Sequence, residues 1–249
     1  MARKRFRLPG FSQSLNASDK DFLFPDSIVN SAFPDRRDVL RVDIELPDGT
    51  DQFTLLVHHA KSRFGGRAKT NARRVDASKR IIDYLRVNAG DENIVLVCDC
   101  NDTPDDQSVN ILETGDPEAK AEMEDRRGPF LFNLTEPVFA EGHVSYGRNS
   151  THIVGQRINT LDMDARRRNY SKRASDMATG DQLFDQILVS PKIMPAYQAD
   201  SVGVFDRKVA VRGNRNNRAS DHLPVYADFV FSSSTSREQP SSNEVPNTP

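Results

Sequence analysis

An α/β fold is what the sequence predicts, and three observations predict it. Leu40, Val42, Ile44 and Leu46 alternate with polar residues, and a second apolar run, Phe53 to Val57, follows the turn Pro47-Asp48-Gly49. Residues 68–88 carry apolar side chains at helical spacing. Residues 93–98, Asn-Ile-Val-Leu-Val-Cys, form a nearly continuous apolar run, the sign of a strand buried on both faces. Strands and a helix in this order make a layered α/β protein.

The elements follow in chain order. Residues 1–37 are irregular and punctuated by Pro9-Gly10, Asn16, Pro25-Asp26 and Pro34-Asp35, with no amphipathic period. The hairpin strands are expected near 38–46 and 52–59. In the helix, Ala72, Val75, Ile82 and Leu85 make the stripe, with Ile81 beside it, and Arg73, Arg74, Lys79, Arg80 and Arg86 decorate the other faces. Ala89-Gly90 closes it. After the 93–98 strand comes Asp99-Cys100-Asn101-Asp102-Thr103-Pro104, then a short helix at 105–113 with Asp105 near its cap. Residues 114–182 are poorly periodic and hold Tyr146, Thr151, His152 and the basic groups Arg166-Arg167-Arg168 and Lys172-Arg173. These groups read either as a solvated surface or as a phosphate-binding arm. Residues 183–190 form a strand with one buried acid, Asp185, and a last strand runs from Val225 to about Phe231. Residues 232–249 are polar enough to be a disordered tail.

Composition narrows the classes of function. Apolar residues make up 37% and charged residues 28%, a foldable polar chain, and the net charge of −2 gives no global attraction to nucleic acid or membrane. The longest apolar runs fall far short of a membrane span, and no apolar segment follows the basic N-terminus, so no secretion signal is visible. The compartment stays open: cytoplasmic for the chain as it stands, secreted if a longer N-terminus exists. The two cysteines, Cys98 and Cys100, share a face of one strand end. We expect them to be reduced packing residues, since neighbours two apart seldom bond to each other.

Several strands end in acids or histidines. His59 follows the second hairpin strand and shares a face with Phe53, Leu55 and Val57. Asp99 and Asn101 follow the buried strand, Asp185 lies in the next, and Asp221-His222 precedes the last. Each alone has a structural reading: a core histidine, an Asx turn, a solvated Lys61. Together, Asp99, Asn101, Asp185, Asp221, His59 and His222 suit metal-assisted phosphoester hydrolysis. A divalent ion offsets the charge of the phosphate, a carboxylate activates water, and an Asp-oriented His meets a phosphoryl oxygen. The chain has no Gly-x-x-x-x-Gly-Lys loop, no Gly-x-Ser-x-Gly elbow and no His-Glu-x-x-His helix, which argues against those classes.

The motifs His-x-Lys-Ser (59–62), Asp-x-Asn-Asp-x-Pro (99–104), Phe-Asp-x-Ile-Leu-Val-Ser (184–190) and Ser-Asp-His-x-Pro-Val (220–225) occur in this order. They resemble the C-terminal motifs of the endonuclease/exonuclease/phosphatase superfamily, the fold of pancreatic deoxyribonuclease, abasic-site endonucleases, inositol-phosphate phosphatases and sphingomyelinases. Ser-Asp-His-x-Pro-Val is the most specific of them, and residues 33–40 resemble a bacterial branch. The resemblance implies a four-layer α/β sandwich of two mixed sheets flanked by helices, here partial, over residues 38–231. It implies a magnesium-dependent hydrolase of ester bonds, with manganese as an alternative. Asp99 would activate water, Asn101 would hold that water or the phosphate, and Asp221 with Asp99 would serve the metal. His222, oriented by Asp185, would bind the phosphoryl group, with His59 and Lys61 on the phosphate side.

The chain departs from the pattern in three places. Cys98 and Cys100 stand where the family has Gly and a large apolar residue, and His58 stands where Asn is usual. Residues 1–37 contain no Glu and no strand–helix–strand pattern, so the first part of the family's fold, with its metal-binding Glu, has no counterpart there. The expectation is an N-terminally truncated member: either a working phosphoesterase, or a remnant that binds phosphates or a partner without turnover. The substrate class is open between nucleic acid, inositol phosphate and lipid, and the basic runs at 166–173 and 212–218 favour a polyanion. The oligomeric state is not legible.

Overall fold

A computed structural model describes residues 32–33, 38–45, 52–88, 92–120, 129–147, 153–155, 182–211 and 220–231. A five-stranded mixed sheet carries the site. Its order is β1 (Leu40–Glu45), β2 (Gln52–His59), β3 (Ile94–Asp99), β5 (Asp185–Val189) and β4 (Phe132–Asn133). β1 and β2 form the expected antiparallel hairpin, Leu40 opposite Val57. β2 and β3 are parallel, and the connection between them is the long helix α1 (Arg67–Asn88). β3 and β5 are antiparallel. A second sheet pairs β6 (Gly203–Val204) with β7 (Val225–Tyr226). Three short α-helices, α2 (Gln107–Thr114), α3 (Glu136–Ala140) and α4 (Lys208–Val211), and a 3-10 turn at Met194–Ala196 complete the described chain.

Period-2 alternation gives the large sheet two apolar faces. Leu56, Ile94, Leu96 and Leu188 pack with Ala77, Ile81, Ile82 and Leu85 of α1 and with Val109, Ile111 and Leu112 of α2. The opposite face, with Phe53, Leu55, Val95, Val97, Ile187 and Val189, packs on Ile193, Tyr197, Val225 and Phe229. Helices, sheet and C-terminal layer are thus stacked in the manner of an α/β sandwich. α2 ends at Gly115, whose φ of +70° suits a residue without Cβ and whose N–H bonds back to Ile111.

Five sequence expectations need correction. Arg74 is not on an outer face of α1: it is buried, because its guanidinium meets Asp102 at 2.7 Å. Ala72 is exposed, and the inward side is Thr70, Arg74, Ala77, Ser78, Ile81, Ile82 and Leu85. The cap of α2 is Asp106, not Asp105, and its side chain is taken by Arg63, Arg67 and Thr103. Cys98 and Cys100 are bonded to each other rather than reduced. The strand ends between them at Asp99, and the bend into Asn101 leaves their Cα atoms 5.1 Å apart on the same buried face. The last strand is the two residues of β7 plus an isolated bridge between Tyr197 and Phe229. The basic runs at 166–173 and 212–218, Thr151, His152, Ala89-Gly90 and the tail 232–249 lie outside the described residues.

Candidate active site

Strand register brings the site together. His59 is opposite Asp99 across the parallel pair, and Asp99 is opposite Asp185 across the antiparallel pair. Three chemistry-bearing residues therefore stand in one row at one end of the sheet. His222 reaches the same place from another segment, paired by an isolated bridge to Tyr146.

The side chains make a connected chain. His222 Nδ1 lies 2.7 Å from Asp185 Oδ2, and its Nε2 lies 3.8 Å from Asp99 Oδ2. Asp99 Oδ2 also lies 3.2 Å from His59 Nε2. Asp99 Oδ1 accepts the backbone N–H of Asn101 at 3.0 Å. Asp185 Oδ2 also accepts the hydroxyl of Ser145 at 2.6 Å. The Tyr146 ring covers the imidazole of His222, its centroid 4.8 Å away, and stacks on Phe184 at 5.3 Å.

The structure thus gathers His59, Asp99, Asp185 and His222. Asn101 joins them through its backbone. Its side chain is turned inward, with Nδ2 donating to the Ala60 carbonyl at 3.3 Å. Asp221 is exposed beside His222. Lys61 is half-buried and donates to Ser62 Oγ at 3.2 Å, and its carbonyl accepts Arg74 Nη1 at 3.2 Å.

Beneath the turn lies a buried ionic network that sequence reasoning missed. Arg63 donates through Nε to the Asn101 carbonyl at 2.6 Å, and through Nη2 to Asp102 at 3.0 Å and Asp106 at 2.7 Å. This holds Asn101 at its positive φ of 49°. The Arg63 guanidinium also sits 4.6 Å from the Phe184 ring centroid. The one sequence signal was Asp102 itself, conspicuous in the acid-rich turn but without an assigned partner.

Charge state follows from these contacts. Burial pulls the His222 pKa down, but the hydrogen bond to Asp185 and the charges of Asp185, Asp99 and Asp221 outweigh it and raise it to about 8. His58, buried on the opposite face against Phe33, is pushed down to about 3 by burial, helped by His59. These shifts fix the sign of a stability profile. The raised His222 pKa contributes stability that is complete below 6.5 and is lost as pH rises through about 8, a fall of about 2 kcal/mol. The lowered His58 pKa acts oppositely: below 6.5 the unfolded chain takes a proton that the folded chain refuses. From this alone, stability should fall by about 2 kcal/mol between pH 6.5 and 5. Urea denaturation of the metal-free chain should therefore show greatest stability near pH 6.5, with the acid-side loss reduced in His58→Asn. A curve that is flat or rising from neutral pH to pH 8.5 would contradict the His222 assignment.

Among the described residues, Asp99, Asp185 and His222 bring one donor atom each within 4.8 Å of one another. Asp185 Oδ2 is committed to Ser145 and His222, and His222 holds a proton up to about pH 8. The oxygens that best fit a hard cation are those of Asp99, with the exposed Asp221 next to His222 in the chain. One or two carboxylates with water completing the shell is the usual provision for magnesium, and manganese takes the same donors.

Comparison with known proteins gives the chain its place. Similar solved structures include humanized D. rerio TDP2, 13% identical, with 78% of this chain and 61% of that chain covered and a TM-score of 0.46. Bacteroides thetaiotaomicron mannosyl-6-phosphatase is 14% identical, with 78% and 57% covered and a TM-score of 0.46. The human Nocturnin catalytic domain is 14% identical, with 78% and 53% covered and a TM-score of 0.38. The chain spans less than two thirds of the length of each. The sequence matches none of the curated proteins. No helix among the described residues is long and apolar enough to cross a membrane. A model of the Endonuclease/Exonuclease/phosphatase family matches residues 26–230, most of the sequence and all four motifs, and so the chain belongs to the endonuclease/exonuclease/phosphatase family.

Proposed function

We propose that this chain hydrolyses phosphoesters by attack of an activated water. The observation that carries the reading is the row His59, Asp99, His222, Asp185, in which a cationic imidazole and a carboxylate face each other at one strand end. Asp99 is placed to take a proton from water, its second oxygen steadied by the Asn101 N–H. His222 keeps its proton on Nδ1 toward Asp185 and presents Nε2–H to a phosphoryl oxygen, where negative charge grows during attack. His59 shares the Asp99 oxygen and lies half-exposed toward substrate. A magnesium or manganese ion on Asp99 and Asp221 would supply charge neutralisation at the phosphate. Lys61 completes the proposed substrate contacts, and Asn101 serves the site through its backbone N–H on Asp99. Nucleic acid is one phosphodiester that fits this chemistry.

The test is hydrolysis of bis-p-nitrophenyl phosphate and plasmid DNA by the purified chain with magnesium, manganese or EDTA. The expected result is turnover that EDTA abolishes and that Asp99→Ala and Asp221→Ala both lose. A folded chain that turns over neither substrate with either metal would overturn the reading and leave a phosphate- or partner-binding protein.

A further inference from the structure

We infer that Ser145 is a positioning residue for the Asp185–His222 pair. The inference rests on the phosphoesterase reading and deepens it. Ser145 is fully buried, and every polar atom it has is spent on the two segments that carry this pair. Its N–H donates to the Gln182 carbonyl at 3.0 Å, just before β5. Its carbonyl accepts the N–H of Leu223 at 2.7 Å, just after His222. Its hydroxyl oxygen accepts the N–H groups of Phe184 at 3.0 Å and Asp185 at 3.3 Å.

Those two donors settle where the hydroxyl proton goes. A serine hydroxyl has one hydrogen and two lone pairs. With both lone pairs facing N–H groups, the hydrogen is left for Asp185 Oδ2, 2.6 Å away. The same carboxylate oxygen accepts from His222 Nδ1 at 2.7 Å. Asp185 is therefore gripped at Oδ2 by Ser145, and the other lone pair of that oxygen is aimed at the imidazole. That fixes the proton on Nδ1, the ring orientation, and the direction of Nε2 toward Asp99. Tyr146, the next residue, closes the arrangement by exchanging backbone hydrogen bonds with Gln182 and covering the imidazole with its ring. A hydrogen bond used this way acts through another residue, so its loss should appear in turnover more than in substrate affinity.

The experiment compares the full chain with Ser145→Ala, Ser145→Cys and Ser145→Thr, each also in an Asp185→Asn background. Two readouts are taken: kcat and KM on bis-p-nitrophenyl phosphate with magnesium, and the low-field proton NMR signal of His222 Nδ1–H, assigned by its loss in His222→Gln. Ser145→Ala should lower kcat about tenfold with KM within about twofold, the size of one lost hydrogen bond to a charged group. Ser145→Thr, which keeps the hydroxyl, should recover most of that. In the Asp185→Asn background Ser145→Ala should add less than about twofold, since the grip has nothing left to orient. The Nδ1–H signal should broaden or move upfield in Ser145→Ala and Ser145→Cys and persist in Ser145→Thr. An equal fold-loss in both backgrounds would mean a merely structural serine and would overturn the inference. So would an unchanged Nδ1–H signal in a folded Ser145→Ala or Ser145→Cys chain. That signal needs no turnover, so it decides the question even where the wild-type chain fails the hydrolysis test.

Discussion

Asp102→Ala should destabilise the chain by about 3–5 kcal/mol, the usual cost of removing one partner from a buried ion pair. Asp102 is fully buried and takes three donors: Arg63 at 3.0 Å, Arg74 at 2.7 Å and Ser108 at 2.6 Å. The Arg74 side chain is as buried as Asp102. Without Asp102, Arg74 would lose its 2.7 Å ion pair and Arg63 would be left to share the carboxylate of Asp106 with Arg67. Asp106 already carries a strong load: burial works against its ionisation, yet Arg67 and Arg63 hold its carboxyl down at about 2. The contrast is Lys79 and Glu118, also 3.0 Å apart but with 83% of the Glu118 side chain exposed. Glu118→Ala should change stability by less than about 0.5 kcal/mol, because water screens an exposed pair. Urea denaturation of both variants checks the pair of values, and a loss below about 1 kcal/mol for Asp102→Ala would show that the network is not what holds this corner. The effect should reach the site before the chain unfolds, since the Arg63 that leans on Asp102 also holds the Asn101 carbonyl.

The regions that carry regular periodicity were legible, and the regions held by polar contacts were not. Val42 and Ile44 announced β1, and the run from Ile94 to Cys98 announced a strand buried on both faces. Helix α1 was found within one residue of its start, yet its face was misjudged at Arg74. A charged residue at an inward position reads as surface until its partner is known, and Asp102 is 28 residues further along. The row of His59, Asp99 and Asp185 was expected as a cluster, and register explains it: parallel and antiparallel neighbours place these strand-end residues side by side. Ser145 could not be found the same way. Ser145 sits in a segment where, among the described residues, the one strand is the two-residue β4, too short for any period to show. What such a residue does is decided by the segments that meet at it, Gln182 before β5 and Leu223 after His222. Cys98 and Cys100 illustrate the same limit, because their bonding depends on the bend that follows Asp99 rather than on their spacing alone.

Asp99→Asn should lower kcat by about a thousandfold, the range of a lost general base, with the fold intact. The amide keeps an oxygen for the Asn101 N–H, now 3.0 Å from Asp99 Oδ1, so the turn survives. What disappears is the negative charge at the oxygen that faces His59 at 3.2 Å and His222 at 3.8 Å. Asp99 has two proposed parts, activating water and holding the ion, and magnesium concentration separates them. If it only held the ion, weaker binding would be overcome by mass action and saturating magnesium would restore turnover. If it takes the proton, no amount of magnesium replaces it. His222→Gln should cost about a hundredfold, as expected for a lost donor to a phosphoryl oxygen. The double variant should fall short of the product of the two losses, because both groups serve one step. Full recovery of Asp99→Asn at high magnesium would remove Asp99 from proton transfer. Strict multiplication of the two losses would mean that His222 and Asp99, although 3.8 Å apart, act on different steps.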